Sequence, residues 1–315
     1  MKPESRRYLE AWTDLANHYA DRDLPGALRV ADEMFEIFPE RRAWAAFLRT
    51  CVLSNQGRVD DALDMMNDVV TDGKWWSDRD LNDSDLDEIR SSPRFESLAG
   101  EMVKLREDAR ARWLAEPEIQ VFSPAAGLER GSLIVLHMYG ISGQETAPFW
   151  QPATEVGMTV VVPESTQRDA DGQPGWDDVH IAHRDVRIAS ERGTSSGGDD
   201  SPIVLAGASQ GASLAMRFVL DGSVENARSF ISFVGTLDVP SIEPLIDSAA
   251  SRGVRGMMIS GADDRLSQQW MTSARDELVR GGVRVKWEEV PGVGHWYPAD
   301  FGERLQQGLD FLLST

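Results

Sequence analysis

Cysteine is nearly missing from this chain: Cys51 is the only one in 315 residues. A single thiol excludes an intramolecular disulfide and leaves no basis for a cysteine-built metal site. Long apolar runs are missing too, and none approaches the ~20 residues that a membrane-spanning helix needs. The opening Met1-Lys2-Pro3-Glu4-Ser5-Arg6-Arg7 runs into an amphipathic pattern without the apolar core of a secretory signal. Positive charge is in deficit, with 32 basic against 52 acidic side chains and a net charge of −20. Such a surface repels nucleic-acid backbones and anionic membranes unless its basic residues cluster, and here the arginines are interleaved with acids throughout. These absences predict a cytoplasmic protein with no nucleic-acid partner and no membrane span, its acidity serving solubility. The remainder is ordinary globular composition, 41% hydrophobic and 27% charged, in a chain long enough for two domains.

Periodicity divides the chain. From Ser5 to Trp113 the apolar residues recur at helical spacing, with almost no β-branched runs. Leu9, Trp12, Leu15, Ala16 and Tyr19 form one stripe; after a break at Asp23-Leu24-Pro25-Gly26, Leu28, Ala31, Met34, Phe35 and Phe38 form a second. Pro25 suits a first helical turn and Pro39 stops the second stripe. Trp44, Phe47, Leu48, Cys51 and Val52 predict a third helix, Gln56-Gly57 a turn, and Val59, Leu63, Met66, Val69 and Val70 a fourth. A long helix from about Phe95 to Trp113 closes the region. Trp12 and Trp44, and Ala27-Leu28 and Ala62-Leu63, recur near the ~34-residue period of the tetratricopeptide repeat, which this region resembles. Asp83 to Phe95 resembles a segment that closes such arrays.

Beyond Pro117 the pattern changes to short apolar runs separated by helical stretches. Ile119–Phe122, Leu133–Leu136, Thr159–Val162, Ile203–Ala206, Phe230–Val234, Gly256–Ile259 and Val283–Glu288 read as strands. The central ones are continuously apolar, as strands buried on both faces should be. Alternation with helical patterns such as Gly211 to Leu220 and Gln268 to Arg280 predicts an α/β fold, a mostly parallel sheet with helices on both faces. Residues 1–115 then form an all-helical domain and residues 116–315 the α/β domain. Ligands of such sheets bind at the carboxyl ends of the strands.

Gly207-Ala208-Ser209-Gln210-Gly211 matches G-x-S-x-G, a pattern that chance supplies in about one chain in ten of this length. Its setting is more selective. A buried strand leads in and a helix leads out, as the tight turn that exposes a nucleophilic serine requires. A serine hydroxyl needs a base. Of five histidines, His295 alone follows the last strand, in Pro291-Gly292-Val293-Gly294-His295-Trp296. His18 lies in the helical region. His180 and His183 are three apart on an expected helix without further metal ligands nearby, so no metal site is read there.

The base in turn needs an anion to fix its tautomer. Gly261-Ala262-Asp263-Asp264, at the end of a strand, offers two adjacent carboxylates between which sequence physics does not choose. A tetrahedral intermediate needs two N–H donors. Gln210, at the positive end of its helix, supplies one, and Tyr139 in His137-Met138-Tyr139-Gly140-Ile141-Ser142-Gly143 the other. His137 reads as a structural pin for that loop.

With these residues in hand, the segment from about 118 to 315 resembles the phospholipase/carboxylesterase family, which includes acyl-protein thioesterases, and its dienelactone-hydrolase-like relatives. That family's Gly-Phe-Ser-Gln-Gly corresponds to Gly207–Gly211 and its His-Gly-x-Gly loop to His137–Gly140. Its acid stands three after a glycine, which selects Asp264, and the order Ser209, Asp264, His295 is that of α/β-hydrolases. The resemblance implies an α/β-hydrolase fold and a serine hydrolase of carboxylic esters or thioesters, without cofactor or metal. Met138 in place of a glycine and Ala208 in place of a bulkier residue alter the walls of the acyl site, which Met138, Trp176 and Trp296 are expected to line. The helical region lies outside that family's usual chain and is expected to cover the site, dock a partner protein or mediate self-association. Two alternatives stand beside the esterase: a helical-repeat interaction protein whose hydrolase-like domain is inactive, and a peptidase on the same fold.

Overall fold

The computed structural model describes residues 4–110, 116–194 and 201–314. The chain forms two compact units, Met1–Leu114 with Arg168–Pro174, and Ala115–Gln167 with Gly175–Thr315. A stretch that the sequence pattern leaves inside the second domain therefore clusters with the first.

The helical unit begins with α1 (Glu4–Ala20), α2 (Leu24–Ile37), α3 (Arg42–Asn55) and α4 (Val59–Thr71), each packed on the next. Asp23 caps α2 by accepting the Gly26 N–H at 3.1 Å, with Pro25 in the first turn. Two short turns, α5 (Asp78–Leu81) and α6 (Asp87–Arg90), lead to α7 (Pro93–Arg110), which packs on α4. The far end expected for α7, at Trp113, lies outside the described residues. The core holds Trp75 and Trp76, and the Trp76 Nε1 donates to the Ala43 carbonyl at 2.8 Å. No described helix is long and apolar enough to cross a membrane.

The second unit carries β1 (Ile119–Phe122), β2 (Gly131–Leu136), α8 (Gly143–Trp150) and β3 (Met158–Pro163). Next come β4 (Gln167–Ala170) and β5 (Gln173–Gly175), a separate two-stranded hairpin. Residues 168–174 of it join the helical unit: Ser77 N donates to the Asp169 carbonyl at 2.6 Å, and Asp171 N to that of Trp75 at 3.1 Å. The pattern did not reveal this hairpin, because Gln167-Arg168-Asp169-Ala170 has neither a β-branched residue nor an apolar–polar alternation.

After α9 (Val179–Thr194) follow β6 (Ile203–Ala208), α10 (Gln210–Asp221) and β7 (Ala227–Phe233). The chain continues through α11 (Val239–Ile242), α12 (Ile246–Ser251), β8 (Arg255–Gly261), α13 (Gln268–Arg280), β9 (Arg284–Val290) and α14 (Phe301–Leu313). The seven expected strands form one sheet in the order β1-β3-β2-β6-β7-β8-β9, parallel except for β1 against β3. Successive residues of a strand face opposite sides. Ile134, Leu136 and Met258 accordingly join a core with α9, α10, α12 and α13, whereas Met257 on the other face meets Gly308 of α14. The chain winds outward from β2 in both directions, to β3 on one side and to β6 on the other. The carboxyl ends of β2 and β6 thus flank the crevice that such a reversal opens.

Candidate active site

Ser209 sits in the turn between β6 and α10, at φ 53°, ψ −122°. A positive φ costs a non-glycine residue free energy, and such outliers gather at functional sites. The turn closes because Gly207 and Gly211 carry no side chains. A Cβ on Gly207 would strike the Gly211 backbone, and one on Gly211 would strike the carbonyl oxygens of Leu136 and His137. From below, Ser209 N donates to the Phe233 carbonyl at 2.9 Å. The serine is half-buried, and its Oγ lies 2.8 Å from His295 Nε2.

His295 Nδ1 lies 2.8 Å from Asp264 Oδ2. A ring nitrogen facing a carboxylate carries the proton, so Nε2 is left to accept from the Ser209 hydroxyl. Asp264 and His295 are both buried. Burial pushes the Asp264 carboxyl up, but the hydrogen bond and charge of His295, with donation from Ser267 and from Leu266 N, hold it below the ordinary aspartate value on balance. Asp263 is exposed, and its backbone N–H goes to the Val293 carbonyl at 2.9 Å. Together with Ala262 N donating to the Val290 carbonyl at 3.0 Å, this ties the loop after β8 to the loop that bears His295. The two backbones lie so close that a Cβ on Gly261 would strike the Val293 carbonyl.

Aromatic packing holds the histidine loop from behind. Tyr297 stacks on Phe149 at 4.2 Å and on Phe233 at 4.9 Å, and its hydroxyl accepts from Trp150 Nε1 at 3.0 Å. Trp296, expected as a wall of the site, is largely buried with its ring edge-on to Phe149 at 5.4 Å.

The loop after β2 is fixed by His137, which is fully buried. Its Nδ1 lies 2.8 Å from the Met138 carbonyl and its Nε2 accepts the Ser165 N–H at 3.1 Å, which defines a neutral Nδ1–H tautomer. The expected structural pin is thus a pair of hydrogen bonds. Trp176 covers it, with ring centroids 4.7 Å apart and Nε1 donating to the His137 carbonyl at 3.0 Å. Met138 is buried and Tyr139 half-buried, in a turn closed by Ile141 N on the Met138 carbonyl at 3.1 Å.

Gln210 opens α10, so its N–H has no partner within the helix. Its side chain accepts the Trp176 N–H at 3.0 Å and donates to Asp177 Oδ1 at 2.6 Å. The remaining histidines lie elsewhere: His18 pairs with Asp23 at 2.8 Å, and His183 Nε2 donates to the Ser223 carbonyl at 3.0 Å. Sequence reasoning missed Ser267, Phe149 and Tyr297, whose residue types carry no motif.

A parallel sheet with this strand order, a strained serine on the turn after a central strand and helices on both faces define the α/β-hydrolase fold. Solved structures share it. An uncharacterized protein from Bacillus cereus ATCC 10987 is 18% identical, with 97% of this chain and 98% of that one covered and a TM-score of 0.53. Acyl-protein thioesterase 2 from Zea mays is 17% identical over 62% of this chain and 99% of its own, with a TM-score of 0.53. Esterase PE8 is 17% identical over 63% and 100%, with a TM-score of 0.52. No protein-family model and no curated protein matches the chain by sequence.

Proposed function

We propose that the second unit is a serine hydrolase that cleaves carboxylic esters or thioesters through an acyl-enzyme. The observation that carries this reading is the continuous hydrogen-bonded line from Asp264 through His295 to a half-buried Ser209. Ser209 Oγ attacks the acyl carbonyl while its proton passes to His295 Nε2, and Asp264 stabilises the resulting imidazolium. The oxyanion is received by the N–H groups of Gln210 and Tyr139. His295 then protonates the leaving group, and water, deprotonated by the same nitrogen, releases the acid and restores the serine.

The fold's occurrence in an acyl-protein thioesterase and an esterase supports this chemistry by analogy of architecture. Met138, Trp176 and Trp296 contribute to the acyl site in this reading. The first unit, a tetratricopeptide-like array of paired helices, is the element that recruits a partner or a second copy, and the protein works in the cytoplasm.

A fluorophosphonate probe tests the core of the proposal. Wild type is expected to label covalently and Ser209→Ala to remain unlabelled. A folded wild type that does not label refutes it.

A further inference from the structure

We infer that Ser267 is a positioning residue for the reaction, holding the Asp264 carboxylate in the one orientation that serves His295. This deepens the hydrolase reading and rests on it.

Ser267 occupies the position just before α13, where a serine side chain ordinarily accepts an N–H from the first helical turn. Here it makes no such bond. Its hydroxyl donates instead to Asp264 Oδ2, the same oxygen that faces His295 Nδ1. Ser267 is fully buried, so no water competes for that oxygen from its side. The other carboxylate oxygen, Oδ1, accepts the backbone N–H groups of Leu266 at 3.0 Å and Ser267 at 3.4 Å. Both oxygens are therefore pinned from the α13 side.

An aspartate fixed at one oxygen alone can rotate about its Cβ–Cγ bond and withdraw Oδ2 from the imidazole. With the Ser267 hydroxyl in place, rotation breaks bonds at both ends. The hydroxyl also shares the negative charge at Oδ2, which tempers the pull of the carboxylate on the imidazolium proton. The ionisable group facing Asp264 across this bond is His295; the adjacent Asp263 carboxylate is exposed to solvent.

Ser267→Ala, compared with wild type on p-nitrophenyl acetate over pH 5–9, tests the assignment. The variant is expected to lose roughly three- to thirty-fold in kcat, a fraction of the ~10²–10⁴ that a well-placed base contributes. KM should stay within about twofold. Its acid limb should move to higher pH, because an Oδ2 relieved of one donor holds the imidazolium proton more strongly. A purely structural role would lower the thermal midpoint and leave the pH profile in place. The downfield proton resonance of the His295–Asp264 hydrogen bond gives a second readout that does not need turnover, and it should shift or broaden in the variant. A pH profile and downfield resonance superimposable on wild type, with fluorophosphonate labelling intact, overturn the role of Ser267 alone. Absence of labelling in wild type instead overturns the underlying hydrolase reading.

Discussion

A buried carboxylate keeps its charge only when donors replace the water it has lost, and Asp264 has four: Leu266 N, Ser267 N, Ser267 Oγ and His295 Nδ1. Asp263, one residue earlier, faces solvent. Sequence physics alone does not separate two adjacent aspartates after a strand, and only the spacing from Gly261 in the family resemblance pointed to Asp264; the structure buries Asp264 and leaves Asp263 exposed. Asp264→Asn is therefore expected to cut p-nitrophenyl acetate turnover by up to ~10⁴, since the amide can hold the wrong imidazole tautomer. Asp263→Asn should stay within about twofold of wild type, as surface changes away from the chemistry do. Equal losses in a side-by-side assay would undo the choice of acid. The carboxyl of Asp264 is held below its ordinary value, so its contribution to stability is fully present above the unfolded value of about 3.9 and fades as pH falls through the folded one.

Helices, strands and turns were the most legible level. Each of the seven sheet strands was readable from its apolar run, and the turn at Ser209 from a glycine pair flanking a serine. What escaped was the hairpin β4–β5, held by backbone bonds to Trp75 and Ser77 rather than by its own composition. That the flanking glycines make room for a crossing backbone was legible in the motif; which backbone crosses was not, and at Gly211 it is the carbonyls of Leu136 and His137 at the end of β2. Gly211→Ala is expected to lower the unfolding free energy by about 1–3 kcal/mol, as overpacking does. Because the shift falls next to Gln210, kcat should fall with it. Gly100→Ala on α7, where a Cβ meets nothing within 4 Å, should instead stabilise by roughly 0.5–1 kcal/mol without touching activity. Chemical denaturation of the two variants beside an ester assay separates the effects; a neutral Gly211→Ala would contradict the close approach.

On the proposed hydrolase reading, the charge of the whole molecule bears on which esters the site would accept. A net charge of −20 creates a field that no single side chain describes, and composition alone revealed it. The structure adds where some of that charge lies. Asp177, exposed and held by the side chain of Gln210, places a carboxylate at the serine turn as well as on the wider surface. An approaching anion meets repulsion from both. Of two p-nitrophenyl esters of equal acyl length, one neutral and one ending in a carboxylate, the neutral ester should be turned over with a kcat/KM about tenfold higher at low salt, the low end of the range such fields produce. Screening decides whether charge is the cause. The Debye length shrinks from ~30 Å at 0.01 M to ~3 Å at 1 M, so the preference should fall toward unity across that range if the field carries it. A ratio that persists at 1 M would place the discrimination in the shape of the proposed acyl site and not in the charge of the molecule.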